Sequence, residues 1–205
     1  MPPVYAFSFV EDAPSAAALK KIISICNEDR QTKIILKEGF PKIMHGFGAI
    51  KKNAPNYIKM AQNPLFNISL VDLDKNECAP LLIHNWFKRS PEELPNNLIF
   101  RIAVKEIESW ILADRNNFAR FTGISINNFS NNPDNLSDPK EHLLNILRNK
   151  GTKKWHKDML PGKNAYIGPL YNEKLINFIN NKWSPEKAAR LSPSLNHAMK
   201  AIKKA

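Results

Sequence analysis

"NISLVDLDKNE", residues 67–77, decides how the chain is read. An apolar run rich in β-formers stops at two aspartates spaced i, i+2, Asp72 and Asp74. Alternate residues on a strand share a face, so the spacing predicts two carboxylates pointing the same way at the end of a buried strand. Two like charges held side by side repel, unless a cation sits between them or one is protonated. An isolated Asp-x-Asp is also how a strand ends in a polar turn, where Asp is common. The rest of the chain separates the two readings.

Towards the N-terminus, "VYAFSFV" (4–10) predicts a strand followed by Glu11 and Asp12, with Pro14 early in a helix over "SAAALKKIISICN". "TKIILKEG" (32–39) predicts a second strand closed by Gly39, and residues 45–62 a helix interrupted at Pro55. "FNISLVDLD" (66–74) is the third strand, and a helix follows near "APLLIHNWFKR". "LIFRIAV" (98–104) is the fourth, running into "KEIESWILADRNNFARFTG", which has helical spacing at Ile107, Trp110, Ile111 and Phe118. Strands alternating with helices predict an α/β fold with a mostly parallel sheet. The remainder differs: a polar Asn-rich loop (127–138), then helices over 140–150, 172–183 and 195–205. Pro139 opens the first of these, and Ser192 and Ser194 read as N-caps of the last. The expected organisation is an α/β core over 1–125 and a basic, mainly helical extension over 126–205, packed on the same domain.

A length of 205 residues suits one domain with a sizeable core, and 43% apolar with 24% charged residues excludes wholesale disorder. No apolar run approaches ~18 residues and the N-terminus lacks a basic leader, so a soluble, cytoplasmic protein with no membrane partner is expected. Cys26 and Cys78 form no metal-type pair, and Cys26 reads as core. Five histidines without close spacing argue against zinc. The net charge of +11 is uneven: from Lys140 onward 14 basic residues face 4 acidic ones, a net +10. Within that segment Lys153, Lys154 and Lys157 interleave with Trp155 and His156. Basic residues beside an aromatic suit phosphate contact and base stacking; a solvated basic face or an acidic protein partner accounts for them too. His156 reads as a surface residue.

In open α/β sheets ligands bind beyond the carboxyl ends of the strands. Glu11 and Asp12 end the first strand, Asp72 and Asp74 the third, Glu106 and Glu108 the fourth. Clustered carboxylates with no His or Cys pattern suit a hard cation, Mg²⁺ or Mn²⁺. The glycines of "HGFGA" (45–49) hint at a phosphate-cradling turn, without the strand that such a turn requires.

"FSFVEDAPSAAAL" (7–19) followed by "LVDLD" (70–74) resembles the TOPRIM fold of topoisomerases, primases and recombination proteins. "RIAVKEIESWILAD" (101–114) is similar to a signature of the OLD-like TOPRIM nucleases of bacterial defence loci, often encoded beside an ATPase. The resemblance covers residues 4–114 and extends more weakly to "GKNAYIGPLYNEKLINFI" (162–179). It implies a TOPRIM-like core, with Glu11 as metal ligand or general base and Asp72 and Asp74 as metal ligands. Glu106 and Glu108 would hold a second metal. Two departures stand out, Asp12 in place of the glycine after the first glutamate and Ser15 in place of an acid, and they leave a one-metal site or a weakened second site open.

The expected activity is therefore metal-dependent phosphodiester hydrolysis of DNA or RNA, with the partner ATPase that the resemblance implies. The alternative is a non-catalytic, nucleic-acid-binding or regulatory TOPRIM-like subunit, which Asp12 and Ser15 favour. An aspartate phosphatase is disfavoured, since its nucleophile follows the first strand. Two divalent ions about 3.5–4 Å apart would activate water and stabilise the leaving oxygen, and a lysine would add charge stabilisation. Lys163 is the candidate, with an ordinary surface lysine as the other account of it.

Overall fold

The structure, a computed structural model, describes residues 2–61 and 65–205. Strand β1 (Val4–Val10) enters helix α1 (Ala13–Glu28) through Asp12, whose carboxylate accepts the Ser15 N–H at 2.9 Å. Asp12 and Ser15 thus form an N-cap pair. Strands β2 (Ile34–Leu36) and β3 (Lys42–Ile43) follow, then helix α2 (Phe47–Met60) and strand β4 (Phe66–Asp72). Helix α3 (Ala79–Phe87) and strand β5 (Leu98–Ala103) complete the sheet. The remaining helices are α4 (Ile107–Leu112), α5 (Arg115–Thr122), α6 (Pro139–Lys150), α7 (Lys154–Met159), α8 (Tyr171–Asn181), α9 (Pro185–Ala188) and α10 (Pro193–Lys204).

All strand pairings are parallel, in the order β2-β1-β4-β5, with β3 pairing β1 beyond the end of β2. Parallel strands covered on both faces read as continuous apolar runs, and β4 is buried from Asn67 to Asp72. Side chains alternate between two cores. Ala6, Ile68, Leu70, Ile99 and Ala103 face a core that includes Leu19, Ile22, Trp110, Leu143, Phe178 and Ile202. Phe9, Val71, Phe100 and Ile102 face a smaller core with Ile50, Tyr57, Leu82 and Trp86 of α2 and α3. Each large side chain buried this way contributes roughly 1.5–3 kcal/mol of transfer free energy. The first core runs through both the α/β segment and the C-terminal helices: α8 and α10 pack on α1, and α10 on β5.

The predicted α/β architecture with a parallel sheet is the observed one, with local differences. Helix α2 runs unbroken through Pro55, which lies on its exposed side. There the carbonyl that a proline leaves unpaired meets water, which limits the cost. The strand predicted over 66–74 ends at Asp72. Leu73 and Asp74 still donate their N–H groups to Ala103 and Lys105, but Asp74 has φ +50°. Asp tolerates this left-handed conformation better than most residues. Strand alternation therefore does not account for the direction of both carboxylates. The long helix read over 105–123 breaks at Ala113–Asp114, where the Asp114 carboxylate accepts Asn117 Nδ2 and the Ser184 N–H. Ser192 caps α10 as expected, whereas Ser194 accepts the indole N–H of the wholly buried Trp110 at 2.7 Å. Cys26 is core. No helix of the described residues is long and apolar enough to cross a membrane.

Candidate functional site

The acids meet where β1, β4 and β5 end. Glu11, one residue past β1, accepts the Asp72 N–H through Oε1 at 2.9 Å, tying the ends of two neighbouring strands together. Asp72 closes β4 with a buried carboxylate whose Oδ1 accepts the Ile107 N–H at 2.9 Å. Glu106 immediately precedes α4 and Glu108 lies in its first turn, both carried there by β5. Glu108 is 1% exposed, with Oε1 accepting the Tyr171 hydroxyl at 2.8 Å and Oε2 buried without a partner. Asp74, half-buried, lines two adjoining clefts. One, of about 380 Å³, also meets Glu11, Asp72, Lys140 and Asn172; the other, of about 520 Å³, meets Lys75, Lys105 and Glu106.

The base among these acids is Lys140, in the first turn of α6. Its Nζ stands 3.3 Å from Glu106 Oε1 and 3.9 Å from Glu108 Oε1. Burial alone would lower its pKa, but Glu108, Glu106 and Asp72 outweigh that and raise it. The acids shift upward as well, which for a carboxylate favours the neutral form. Burial pushes Glu11 up to about 7, with the Asp72 N–H opposing and Asp74 and Asp12 adding to the rise. Burial pushes Glu108 up to about 7 against the pull of Lys140. Asp72 is raised well above the usual carboxylate range, first by burial and then by Glu108 and Glu11, and burial also raises Asp74. The site thus resists carrying its full negative charge without a cation.

All five predicted acids, Glu11, Asp72, Asp74, Glu106 and Glu108, stand at this edge. Lys163 does not join them: it is exposed in the loop before α8 and makes no ion pair with them. The sequence did carry a signal for Lys140. Asp138 and Pro139 mark a helix start, and a lysine in the first turn opposes the helix dipole, so another feature must favour it. In the basic segment Lys153 Nζ donates to the Phe121 carbonyl at 2.9 Å and lies 5.5 Å from the Trp155 ring. Trp155 packs half-buried against Phe121, and His156, expected at the surface, is buried, its Nδ1 accepting the Lys153 N–H. Lys154 and Lys157 are exposed.

The acids at this edge offer carboxylate oxygens, the donor type that hard divalent cations take, and Glu108 Oε2 is buried without a partner. Among the described residues, no three His, Cys, Asp or Glu side chains stand close enough to share one ion as they are oriented. Fold and site together define a parallel α/β protein with an acidic, lysine-buttressed cleft at the carboxyl edge of its sheet. No family model, curated protein or solved structure matches the chain.

Proposed function

We propose that this cleft binds Mg²⁺ or Mn²⁺ and hydrolyses phosphodiester bonds of nucleic acid, the activity implied by the resemblance to OLD-like TOPRIM nucleases. One observation carries the proposal: acids from three strand ends converge on one edge, where burial and mutual repulsion oppose their ionisation. Glu11, Asp72 and Asp74 would hold one cation, and Glu106 and Glu108 a second. The bound cation would lower the pKa of water and neutralise developing charge on phosphorus. Glu11 keeps Oε1 on the Asp72 N–H and has Oε2 to accept a proton. If the cation is held by Asp72 and Asp74 instead, Glu11 is placed to act as the general base. Lys140, which lines the cleft with Glu11, Asp72 and Asp74, would supply the ammonium rather than Lys163. An ATPase partner remains part of the same proposal.

A second reading, a non-catalytic nucleic-acid-binding or regulatory subunit, is favoured by the ion pair of Lys140 with Glu106, which already neutralises part of the cluster. Calorimetry with Mn²⁺, paired with cleavage of plasmid and single-stranded nucleic acid, separates the two. The enzyme reading expects Mn²⁺ binding and cleavage abolished by Glu11→Gln. Binding of nucleic acid without cleavage under any condition supports the second. Cleavage that survives in both Glu11→Gln and Asp72→Ala overturns this site as the catalytic centre.

A further inference from the structure

Among the described residues strand β5 is an edge of the sheet, paired only with β4. Its orientation is fixed by backbone bonds: the Asn67 N–H donates to the Asn97 carbonyl and the Leu73 N–H to the Ala103 carbonyl. Residues of a strand alternate in the direction of their backbone groups, so Phe100 and Ile102 turn theirs to the open side. Among the described residues no backbone group meets them there. The Phe100 carbonyl is covered only by Nε of the neighbouring Arg101, at 3.0 Å.

A groove follows this edge. A cavity of about 670 Å³ borders Leu98 to Arg101, a second of about 370 Å³ borders Arg101, Ile102 and Val104, and Ile83 and Arg101 line both. From Leu98 to Val104 the groove is about 20 Å long, at roughly 3.3 Å per residue, the length of an added strand of six or seven residues. Helix α3 forms one wall through Ile83, and α10 the other through His197, Ala201 and Lys204.

Arg101 stands at the midpoint, half-buried and without an ion pair among the described residues. Two acids line the groove: Asp134 already accepts from the Ser192 hydroxyl and the Ser194 N–H, and Glu92, exposed on the wall of the first cavity, makes no ion pair with Arg101. A partly desolvated guanidinium with no carboxylate is an incomplete pair, because Arg favours bidentate carboxylate partners.

We propose that this edge docks an extended segment of an acidic partner protein, which adds as a strand beside β5 and places a carboxylate on Arg101. Backbone bonds to Phe100 and Ile102 supply affinity, and Arg101 supplies selectivity. The segment displaces the Arg101 contact that blunts the empty edge. A second copy of this chain fits less well: "LIFRIA" carries Arg101 and no acid, and the whole chain has a net charge of +11. The proposal is independent of the acidic cleft.

The probe is a phage-displayed library of random heptapeptides selected against the full chain, with enriched sequences remade as soluble peptides. The expected result is enrichment of Asp or Glu within alternating apolar residues, and slowed amide exchange at Phe100 and Ile102 on binding. Arg101→Glu should weaken the selected peptide by about tenfold, the worth of one charge-assisted hydrogen bond, and improve binding of the same peptide with Lys in place of its acid. Should Arg101→Glu fail to fold, the acid-to-amide peptide tested on the unmodified protein reads the same effect. The proposal is overturned if no acidic preference emerges, or if Arg101→Glu binds the acidic peptide equally well. Concentration-dependent protection of Phe100 and Ile102 without peptide overturns it too, in favour of a second copy.

Discussion

Lys140 holds Glu106 at two points, its backbone N–H 2.9 Å from Oε2 and its Nζ 3.3 Å from Oε1. The first turn of α6 is thereby fastened to the residue that ends the β5 segment, and the C-terminal helices contribute the counter-charge of the acidic edge. The same Nζ faces Glu108, whose other oxygen is buried without a partner. Ionisation of Glu108 is therefore coupled to this lysine.

Lys140→Met removes the charge and keeps most of the packing. At pH 8 the loss should be about 1–3 kcal/mol, because Glu108 is left buried and unpaired or must take up a proton. At pH 5, below the pKa of about 7 for Glu108, the loss should shrink, since the carboxyl is already protonated. Urea unfolding of both proteins at the two pH values measures this. An equal loss at both would mean that the lysine acts through Glu106 and packing, not through the ionisation of Glu108.

The metal-free protein should lose stability as pH rises from 6.5 to 8. Glu11 and Glu108 have folded pKa values of about 7 against ordinary values of 4.5. The folded state thus holds protons that the unfolded chain has already released, and stability falls as pH climbs through the folded pKa. His142 and His156, both lowered by burial, act with the opposite sign below their ordinary value of 6.5. The window above 6.5 therefore reports the acids. Melting temperatures across it, with and without Mn²⁺, are the check. Mn²⁺ should remove the decline, because a ligand bound only by the folded state stabilises it. A metal-free protein that melts higher at pH 8 would refute the assignment.

Asp72→Asn and Asp72→Ala should differ in sign. Asparagine keeps an oxygen for the Ile107 N–H and removes a charge that burial, Glu108 and Glu11 all oppose. Asp72→Asn should therefore stabilise the metal-free protein at pH 8 and abolish the Mn²⁺ response. Asp72→Ala relieves the same repulsion but orphans a buried N–H, at a cost of about 1–3 kcal/mol. Two destabilised variants would mean that the charge on Asp72 is already compensated.

What the sequence showed and hid follows from how far apart the interacting residues lie. β1, β4 and β5 were legible because buried parallel strands are apolar runs with punctuated ends, and each end carries its acid in the adjoining residues. β3 was not: two residues pairing with Phe9 and Val10 leave no periodic trace. Asp72 and Asp74 were expected together for a reason that fails, since the strand stops between them and a left-handed turn sets the direction of Asp74. Lys140 was missed because its partners lie 34 and 32 positions earlier in the chain. Lys163 was preferred on a motif resemblance that says nothing of distance. His156 was misjudged for a similar reason: charged neighbours in sequence hid a side chain turned into the core.

The last prediction divides the basic segment. Lys153 is spent on the Phe121 carbonyl and the Trp155 ring, so Lys153→Ala should lower stability by about 0.5–1 kcal/mol. Lys154 and Lys157 are exposed, and replacing both with Ala should leave the melting temperature unchanged. If these two contact a nucleic-acid backbone, the double variant should flatten the log–log salt dependence of binding. The change is about 0.7 per contact for single strands and about 0.9 for duplex DNA. Trp155, half-buried against Phe121, adds little open ring for stacking, so base composition should hardly matter. An unchanged slope with unchanged stability would assign this face to solvation or to an acidic protein partner. A loss of slope confined to Lys153→Ala, by contrast, would show that its contacts with Phe121 and Trp155 open when nucleic acid binds.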